Sequence, residues 1–127
     1  MSVNPGQEKK ITVAVIEDND DVRNLLSLIL GEFCKVVAFR SAEEACPALA
    51  AEAVQIILTD FRLPDLNGID VRIKLRERGV MTPVVLVTGY VMGSSKEKAL
   101  AGGFAAFLSK PILDMQEMVD LIRGLAA

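Results

Sequence analysis

The sequence contains no histidine and no tryptophan, and it has only two cysteines. Without histidine, the chain lacks the side chain that most often serves as a general base and most often binds transition metals. Cys34 and Cys46 are too few and too far apart for a zinc site or a CxxC redox pair, so we expect buried free thiols. Any chemistry must therefore use carboxylates, hydroxyls or lysine.

Long apolar runs and basic runs are also missing. No segment approaches the roughly 20 apolar residues that span a bilayer, and the N-terminal MSVNPGQEKK has no apolar signal core. The formal charge of -3 and the pI near 5.0 disfavour binding to a nucleic-acid phosphate backbone. The sequence predicts a cytoplasmic protein that acts on proteins or small molecules, with no membrane attachment and no direct nucleic-acid binding.

Five short apolar or β-branched segments recur at roughly even spacing. Most are apolar throughout, which is typical of strands covered on both faces of a parallel sheet, and amphipathic helical patterns separate them. Right-handed crossovers then make the sheet parallel, which predicts a doubly wound α/β fold, a flavodoxin-like (βα)5 sandwich with helices on both faces. We expect the sheet order to be 2-1-3-4-5. With 127 residues and 51% apolar content, we expect a single domain over 11–127 after a flexible segment over 1–10. The predicted strands are 11–16, 34–39, 54–59, 83–88 and 104–108.

Helix signals fill the gaps between the predicted strands. Apolar residues at i, i+3, i+4 and i+7 predict a first helix over 20–32, capped at Asn19 or Asp20. Ser41 and Glu44 form a capping-box pattern at the start of a second helix. The expected buried stripe of the first helix is Val22, Leu25, Leu26, Ile29 and Phe33.

The remaining helices have weaker signals. Asn67 is expected to cap a third helix, and a last helix follows Pro111. Pro47 would remove a backbone hydrogen bond from the second helix, so that helix is predicted to be kinked or to start late. The segment 93–103 is predicted to form the least stable helix, because its flanks are glycines and it offers few apolar residues. Its buried candidates are Ala99 and Leu100.

Polar side chains follow the predicted strands at their carboxyl ends, where ligands bind in open parallel sheets. The first and third strands are neighbours in the predicted order, so their three carboxylates share one crevice and repel one another unless a cation compensates. Oxygen ligands suit Mg²⁺ or Mn²⁺, and an Asp beside such a cation can act as a nucleophile toward a phosphoryl group. Alone, each residue is more simply a helix cap, a strand end or a surface lysine, so the prediction depends on their joint occurrence. The residues are Glu17, Asp18, Asp60, Thr88, Gly89 and Lys110.

With these motifs, the sequence resembles the receiver domain of two-component response regulators over nearly its whole length. The resemblance is carried by the acidic pair after the first strand, by Asp60 within DFRLPDLNG, by Thr88 with a small neighbour, and by Lys110 followed by proline. It implies that Asp60 accepts a phosphoryl group from a phosphohistidine on a sensor histidine kinase or a histidine phosphotransfer protein. A downstream protein target is implied as well, and the oligomeric state is left open.

The resemblance also implies roles for the residues around Asp60. Asp18, Asp60 and the backbone carbonyl of Arg62 would ligate Mg²⁺, and Glu17 would hold the metal through water. Thr88 and Lys110 would bind the phosphoryl oxygens.

Further roles concern switching and the lifetime of the phosphorylated form. Phe107 occupies the position of the aromatic switch residue, whose ring fills the space that Thr88 leaves on phosphorylation, although phenylalanine lacks the hydroxyl of a tyrosine. Around the mouth of the site, Arg62, Gly89 and Tyr90 are expected to set how fast the phosphoryl group is lost. The side chain of Arg62 should be exposed.

Two other functions fit parts of the pattern. A Mg²⁺-dependent phosphohydrolase of the haloacid dehalogenase type usually has a second Asp two residues after the nucleophile, and that position is Arg62 here. A receiver-shaped interaction module that is never phosphorylated is the other alternative. The chain fits either a single-domain regulator or one domain of a longer regulator or hybrid sensor kinase.

Overall fold

Five parallel strands form one sheet, and their order in the sheet is 2-1-3-4-5, which confirms the predicted order. The computed structural model describes residues 11–89, 100–110 and 115–126. Each strand begins one or two residues later than predicted. The strands are β1 (Thr12–Ile16), β2 (Lys35–Phe39), β3 (Ile56–Asp60), β4 (Val84–Thr88) and β5 (Ala106–Ser109).

Helices cover both faces of the sheet, as the apolar strands predicted. On one face, the helices over 42–51 and 68–77 pack against the sheet through small and branched side chains such as Ala45, Val71 and Leu75. On the other face, the helices over 20–30 and 115–126 pack through residues such as Leu26 and Met118. No helix in the described part of the chain is long and apolar enough to cross a membrane. These helices are α1 (Asp20–Leu30), α2 (Ala42–Ala51), α3 (Gly68–Glu77) and α4 (Met115–Ala126).

Burial follows the position of each strand in the sheet. The three central strands β1, β3 and β4 are almost entirely buried, whereas the edge strands β2 and β5 are half-exposed. Both cysteines are buried free thiols, as expected from the sequence. The ends of the central strands are therefore held in fixed positions, and so is the backbone of the residues that directly follow them.

The predicted caps are present at three helix starts. The side chain of Asn19 accepts a hydrogen bond from Val22 N (3.0 Å) at α1, and Asn67 accepts one from Asp70 N (2.9 Å) at α3. Ser41 accepts one from Glu44 N (3.2 Å) at α2. Each side chain satisfies an N–H that has no partner inside its helix.

Two buried positions were predicted wrongly. Leu25 is 51% exposed, because it lies about 100° around α1 from Leu26, the residue that enters the core. Leu30 takes its place in the buried stripe. Leu100 is 47% exposed, so it does not anchor its segment to the core as predicted. The rest of the predicted helix over 93–103, up to Ala99, lies outside the described residues, as does the segment 1–10.

Pro47 was predicted to kink α2 or to delay its start, and the delayed start is not observed. The helix begins at Ala42 and continues through Pro47 to Ala51. The proline is exposed, and the carbonyl that lacks its usual partner belongs to the exposed Glu43. Solvent can therefore hydrogen-bond this carbonyl and offset part of the cost.

The loop between β3 and α3 closes tightly on itself. Gly68 N donates to Phe61 O (2.7 Å), Leu63 N donates to Leu66 O (3.2 Å), and residues 62 and 67 form an isolated antiparallel bridge. A Cβ on Gly68 would lie 2.9 Å from the carbonyl oxygen of Asp60 and 2.8 Å from Leu86 Cδ1. The loop can return to the end of β3 only because this position is glycine.

This close approach makes Gly68→Ala destabilising, by about 1–3 kcal/mol, because the methyl group overpacks the end of β3. Gly124→Ala is the matched control, since a Cβ there meets nothing within 4 Å and alanine favours the helix by up to about 1 kcal/mol. Urea unfolding of both variants checks the prediction. Equal stability changes in the two variants would contradict it.

Candidate functional site: an acidic cluster at the carboxyl end of the sheet

Three carboxylates converge where β1 and β3 end. The two strands are neighbours, with Ile16 paired to Thr59, so Glu17 directly after β1 lies beside Asp60 at the end of β3. Carboxylate oxygens of Glu17, Asp18 and Asp60 all lie within 4.8 Å of one another. The structure thus brings together the acidic residues singled out in the sequence.

Lys110 reaches this cluster from β5, on the opposite side of the site. Its ammonium group forms ion pairs with Glu17 Oε1 and with Asp60 Oδ2, the latter at 3.0 Å. The backbone places it there, because Lys110 N donates to Thr88 O (2.9 Å) and so extends the pairing of β4 with β5. One lysine therefore bridges two acids that come from different strands.

Burial and charge act on these groups together. Burial raises the pKa of Glu17, which is 2% exposed, while the hydrogen bond from Lys110 opposes that rise. Burial alone would lower the pKa of Lys110, but its hydrogen bonds to Glu17 and Asp60 outweigh this effect and raise it. Lys110 is therefore charged at neutral pH, when it partly compensates the acidic cluster.

Arg23 of α1 organises the loop after β1, and the sequence reasoning missed it. Its Nη1 donates to the carbonyl of Glu17 (2.9 Å), and its Nη2 forms an ion pair with Asp20. Asn19 N also donates to Glu17 Oε2 (3.1 Å). The i, i+3 spacing of Asp20 and Arg23 could have indicated their ion pair. The hydrogen bond from Arg23 to the backbone carbonyl of Glu17 has no corresponding pattern in the sequence.

Thr88 and Phe107 lie on adjacent strands and on the same face of the sheet. Leu86 pairs with Phe107 and Thr88 with Ser109, so Thr88 and Phe107 are diagonal neighbours on the face that packs against α2 and α3. Thr88 is buried and Phe107 is half-buried against the core. The two residues proposed for the switch are therefore close enough to influence each other.

The residues expected at the mouth of the site are only partly described. Arg62 is exposed, and its N–H donates to Asp60 Oδ1 at 3.4 Å. Gly89 is exposed, and a Cβ there would lie 3.6 Å from Lys110 Cβ, an ordinary contact. Tyr90 lies outside the described residues.

The donor atoms of the cluster suit a hard divalent cation. All three are carboxylate oxygens, at a spacing that a single ion can bridge. The sequence has no histidine, and both cysteines are buried in the core and do not belong to the cluster. This donor set fits Mg²⁺, and also Mn²⁺, better than a softer metal.

Comparison with known proteins identifies the family. The sequence profile described as "Response regulator receiver domain" matches residues 13–123. The chain belongs to the response regulator receiver family. Receiver domains are signalling domains of two-component systems that histidine kinases phosphorylate, and the family binds Mg²⁺ at an acidic cluster such as this one.

Relatives and solved structures agree with this assignment. The receiver domain is 34% identical over 109 residues to the response regulator protein PilR of Pseudomonas aeruginosa, covering 85% of this chain and 24% of PilR. It is 33% identical over 114 residues to nodulation protein W of Bradyrhizobium diazoefficiens, covering 89% of this chain and 50% of that protein. The chain thus spans half or less of these two relatives. The Francisella response regulator 1452 receiver domain has the same fold, with a TM-score of 0.85, 21% identity and coverage of 92% of this chain and 97% of that one.

The bridging ion pairs predict the effect of removing the lysine. Lys110→Met leaves the buried Glu17 without its cation, which costs about 1–3 kcal/mol of unfolding free energy at neutral pH in Mg²⁺-free buffer. Glu17 already has a raised pKa, and losing Lys110 raises it further. Because protonation relieves the unpaired charge, the deficit grows as the pH rises above the folded-state pKa of Glu17 in the wild type, which is itself higher than the usual 4.5.

Lys35→Met is the control for this experiment, since the pair Lys35–Glu52 spans 3.8 Å on the surface. It should change stability by less than about 0.5 kcal/mol. Urea unfolding between pH 4.5 and 7.5 checks both variants. A deficit for Lys110→Met that does not depend on pH would contradict the assignment to Glu17.

Proposed function

We propose that this receiver domain accepts a phosphoryl group on Asp60 in a Mg²⁺-dependent reaction and then switches a protein-interaction surface. One observation carries the proposal: Lys110 contacts both Asp60 and the buried Glu17 beside a cluster of three carboxylates at the edge of the sheet. Asp60 is 11% exposed at its side chain, so a donor can reach it from solvent.

The reaction transfers one phosphoryl group from a phosphohistidine to Asp60. A carboxylate oxygen of Asp60 forms the new O–P bond as the N–P bond of the donor breaks, and the departing imidazole takes up a proton from solvent. Developing charge on the phosphoryl oxygens is stabilised by Lys110 and by the hydroxyl of Thr88. Asp18, Asp60, the Arg62 carbonyl and, through water, Glu17 would hold Mg²⁺, which would supply further positive charge to the phosphoryl oxygens.

The switch in this proposal couples Thr88 to Phe107. A phosphoryl group on Asp60 offers strong acceptor oxygens to the Thr88 hydroxyl, which is buried at the end of β4. Movement of Thr88 toward them frees space on the face of the sheet that it shares with Phe107. The half-buried phenyl ring can then move inward and change the surface around β5.

The proposed partners are a sensor histidine kinase or histidine phosphotransfer protein and a downstream protein. Leu25 and Leu28 present an exposed apolar pair on α1, 51% and 73% exposed, and this helix starts at the acidic loop of the site. Exposed apolar side chains grouped on one helix face are typical of protein docking surfaces. A donor bound there would approach Asp60 without crossing the rest of the domain. Together with the net negative charge, this favours protein partners over nucleic acid.

Neither rival function has comparable support. A phosphohydrolase needs a base near the phosphoryl group, and Arg62 at the expected position cannot be deprotonated. A silent interaction module has no need for Lys110 to bridge two acids from different strands. We therefore propose a stoichiometric phosphoacceptor with self-catalysed phosphotransfer and autodephosphorylation, not an enzyme.

Acetyl phosphate with Mg²⁺ should give a labile adduct of one phosphoryl group, seen by intact-protein mass spectrometry. Asp60→Asn removes the nucleophile and should abolish the adduct. Asp70→Asn, which removes an exposed acid in the first turn of α3, should leave it intact. Continuous release of phosphate at enzyme rates would favour the hydrolase, and no adduct with any donor would favour the silent module.

Arg62 should affect the lifetime of the adduct more than the fold. Its exposed side chain stands at the mouth of the site, so Arg62→Ala opens the approach of water to the acyl phosphate. We expect the adduct to decay about fivefold faster, equivalent to roughly 1 kcal/mol in the barrier, with stability changed by less than about 0.5 kcal/mol. Decay is followed after removal of excess acetyl phosphate.

Arg78→Ala is the matched control, because Arg78 is an exposed arginine at the far end of α3. Its adduct should decay at the wild-type rate. The same lifetime in all three proteins would argue against a role for Arg62 and leave Gly89 and Tyr90 as the residues that set the rate.

A further inference from the structure

Asp65 joins two segments that are far apart in the sequence. It lies in the loop between β3 and α3, and its carboxylate accepts hydrogen bonds from Ala42 N (3.2 Å) and Glu43 N (2.7 Å) at the start of α2. Leu66 N, within the loop itself, donates to the same carboxylate (3.1 Å). The loop after the phosphoacceptor strand is therefore attached to a helix on the neighbouring side of the site.

These contacts complete the cap of α2. Ser41 satisfies only Glu44 N with its side chain, so the N–H groups of Ala42 and Glu43 would otherwise have no partner inside the helix. A carboxylate at the positive end of a helix dipole is a favourable acceptor for both. Consistently, the pKa of Asp65 is lowered: its slight burial would raise it, but the backbone hydrogen bonds outweigh that effect.

The start of α2, which Asp65 contacts, is held in place by the core. Ala42 and Ala45 are fully buried in the core on this face of the sheet. The loop, in contrast, is closed at its base by Gly68 N and at its tip by the contact between Leu63 and Leu66. Asp65 lies at that tip, so its hydrogen bonds add a polar tie to α2 beside the packing of Phe61, Leu63 and Leu66 against the core.

The same loop carries the carbonyl of Arg62, the proposed backbone ligand of Mg²⁺. Asp65 is three residues from Arg62 and is itself no member of the acidic cluster formed by the described residues Glu17, Asp18 and Asp60. Its oxygens face backbone N–H groups of α2 and of its own loop. Its influence on a metal must therefore act through the position of the loop.

We propose that Asp65 is a positioning residue for the Mg²⁺ site: by tying the loop to the start of α2, it holds the Arg62 carbonyl in place for the metal. The inference rests on the proposed function, since it concerns the same site. Supporting residues that orient metal ligands typically change metal affinity by at least about tenfold when removed. Removal of the tie should therefore weaken Mg²⁺ binding, although the carboxylate ligands are untouched.

The test is Mg²⁺ affinity of the unphosphorylated protein, measured by isothermal titration calorimetry. Asp65→Ala should raise the Kd for Mg²⁺ by about tenfold, and Asp65→Asn, which keeps one acceptor oxygen, should give a smaller increase. Asp70→Asn removes a nearby acid of equal charge that makes no such tie, so it should change the Kd by less than about twofold. The comparison separates positioning from the simple loss of a negative charge.

A second readout separates positioning from stability. With acetyl phosphate, both Asp65 variants should form less adduct than wild type at limiting Mg²⁺ and recover the wild-type yield at saturating Mg²⁺. An Asp65 variant could instead melt at a lower temperature without Mg²⁺ and have the same Kd for Mg²⁺ as Asp70→Asn. That result would show that Asp65 only caps α2, and it would overturn the inference. If Asp65→Ala does not fold, the Kd of Asp65→Asn for Mg²⁺ is compared with that of Asp70→Asn in the same way. Failure of the wild-type protein itself to bind Mg²⁺ would instead overturn the proposed function.

Discussion

Repulsion among three carboxylates is the constraint around which this receiver domain is arranged. Carboxylate oxygens of Glu17, Asp18 and Asp60 lie within 4.8 Å of one another, where like charges repel each other unless a cation lies between them. The fold keeps them together because β1 and β3 are neighbouring strands buried on both faces, so their ends cannot move apart. Lys110 compensates part of the charge with ion pairs to two of the acids. The remaining negative charge is what makes the cluster suited to a divalent cation.

This partial compensation fits the proposed reaction. In the proposed reaction, a cation in the cluster would compete with Lys110 for the oxygens of Glu17 and Asp60, which would leave the lysine able to contact a phosphoryl group. The lysine comes from β5, next to the strand that ends in Thr88. The groups proposed to bind phosphate therefore lie at the ends of β4 and β5, whereas the carboxylates proposed to hold the metal lie at the ends of β1 and β3. In the proposed switch, this division would couple phosphorylation of Asp60 to Phe107 on β5.

Much of the fold and of the acidic site was predictable because both depend on local patterns. Continuous apolar segments predicted β1, β3 and β4, and Asn19, Ser41 and Asn67 predicted the helix starts. Carboxylates directly after two such strands predicted the cluster. The exposure of Leu25 was not predictable from the sequence. An apolar residue at the edge of the buried stripe of a helix fits the i, i+3, i+4 repeat nearly as well as a residue inside the stripe.

The contacts that escaped prediction have a shared physical form. Arg23 donates to the carbonyl of Glu17, and Asp65 accepts from the N–H groups of Ala42 and Glu43. In both cases a side chain binds the backbone of another segment. Nearly every residue type offers the same backbone N–H and C=O groups, so the identity of the partner residue gives no sign of the contact in the sequence. Such contacts hold the loops beside the acidic cluster through their backbone, without using its carboxylate side chains. The proposed metal site would therefore depend in part on residues that take no part in its chemistry.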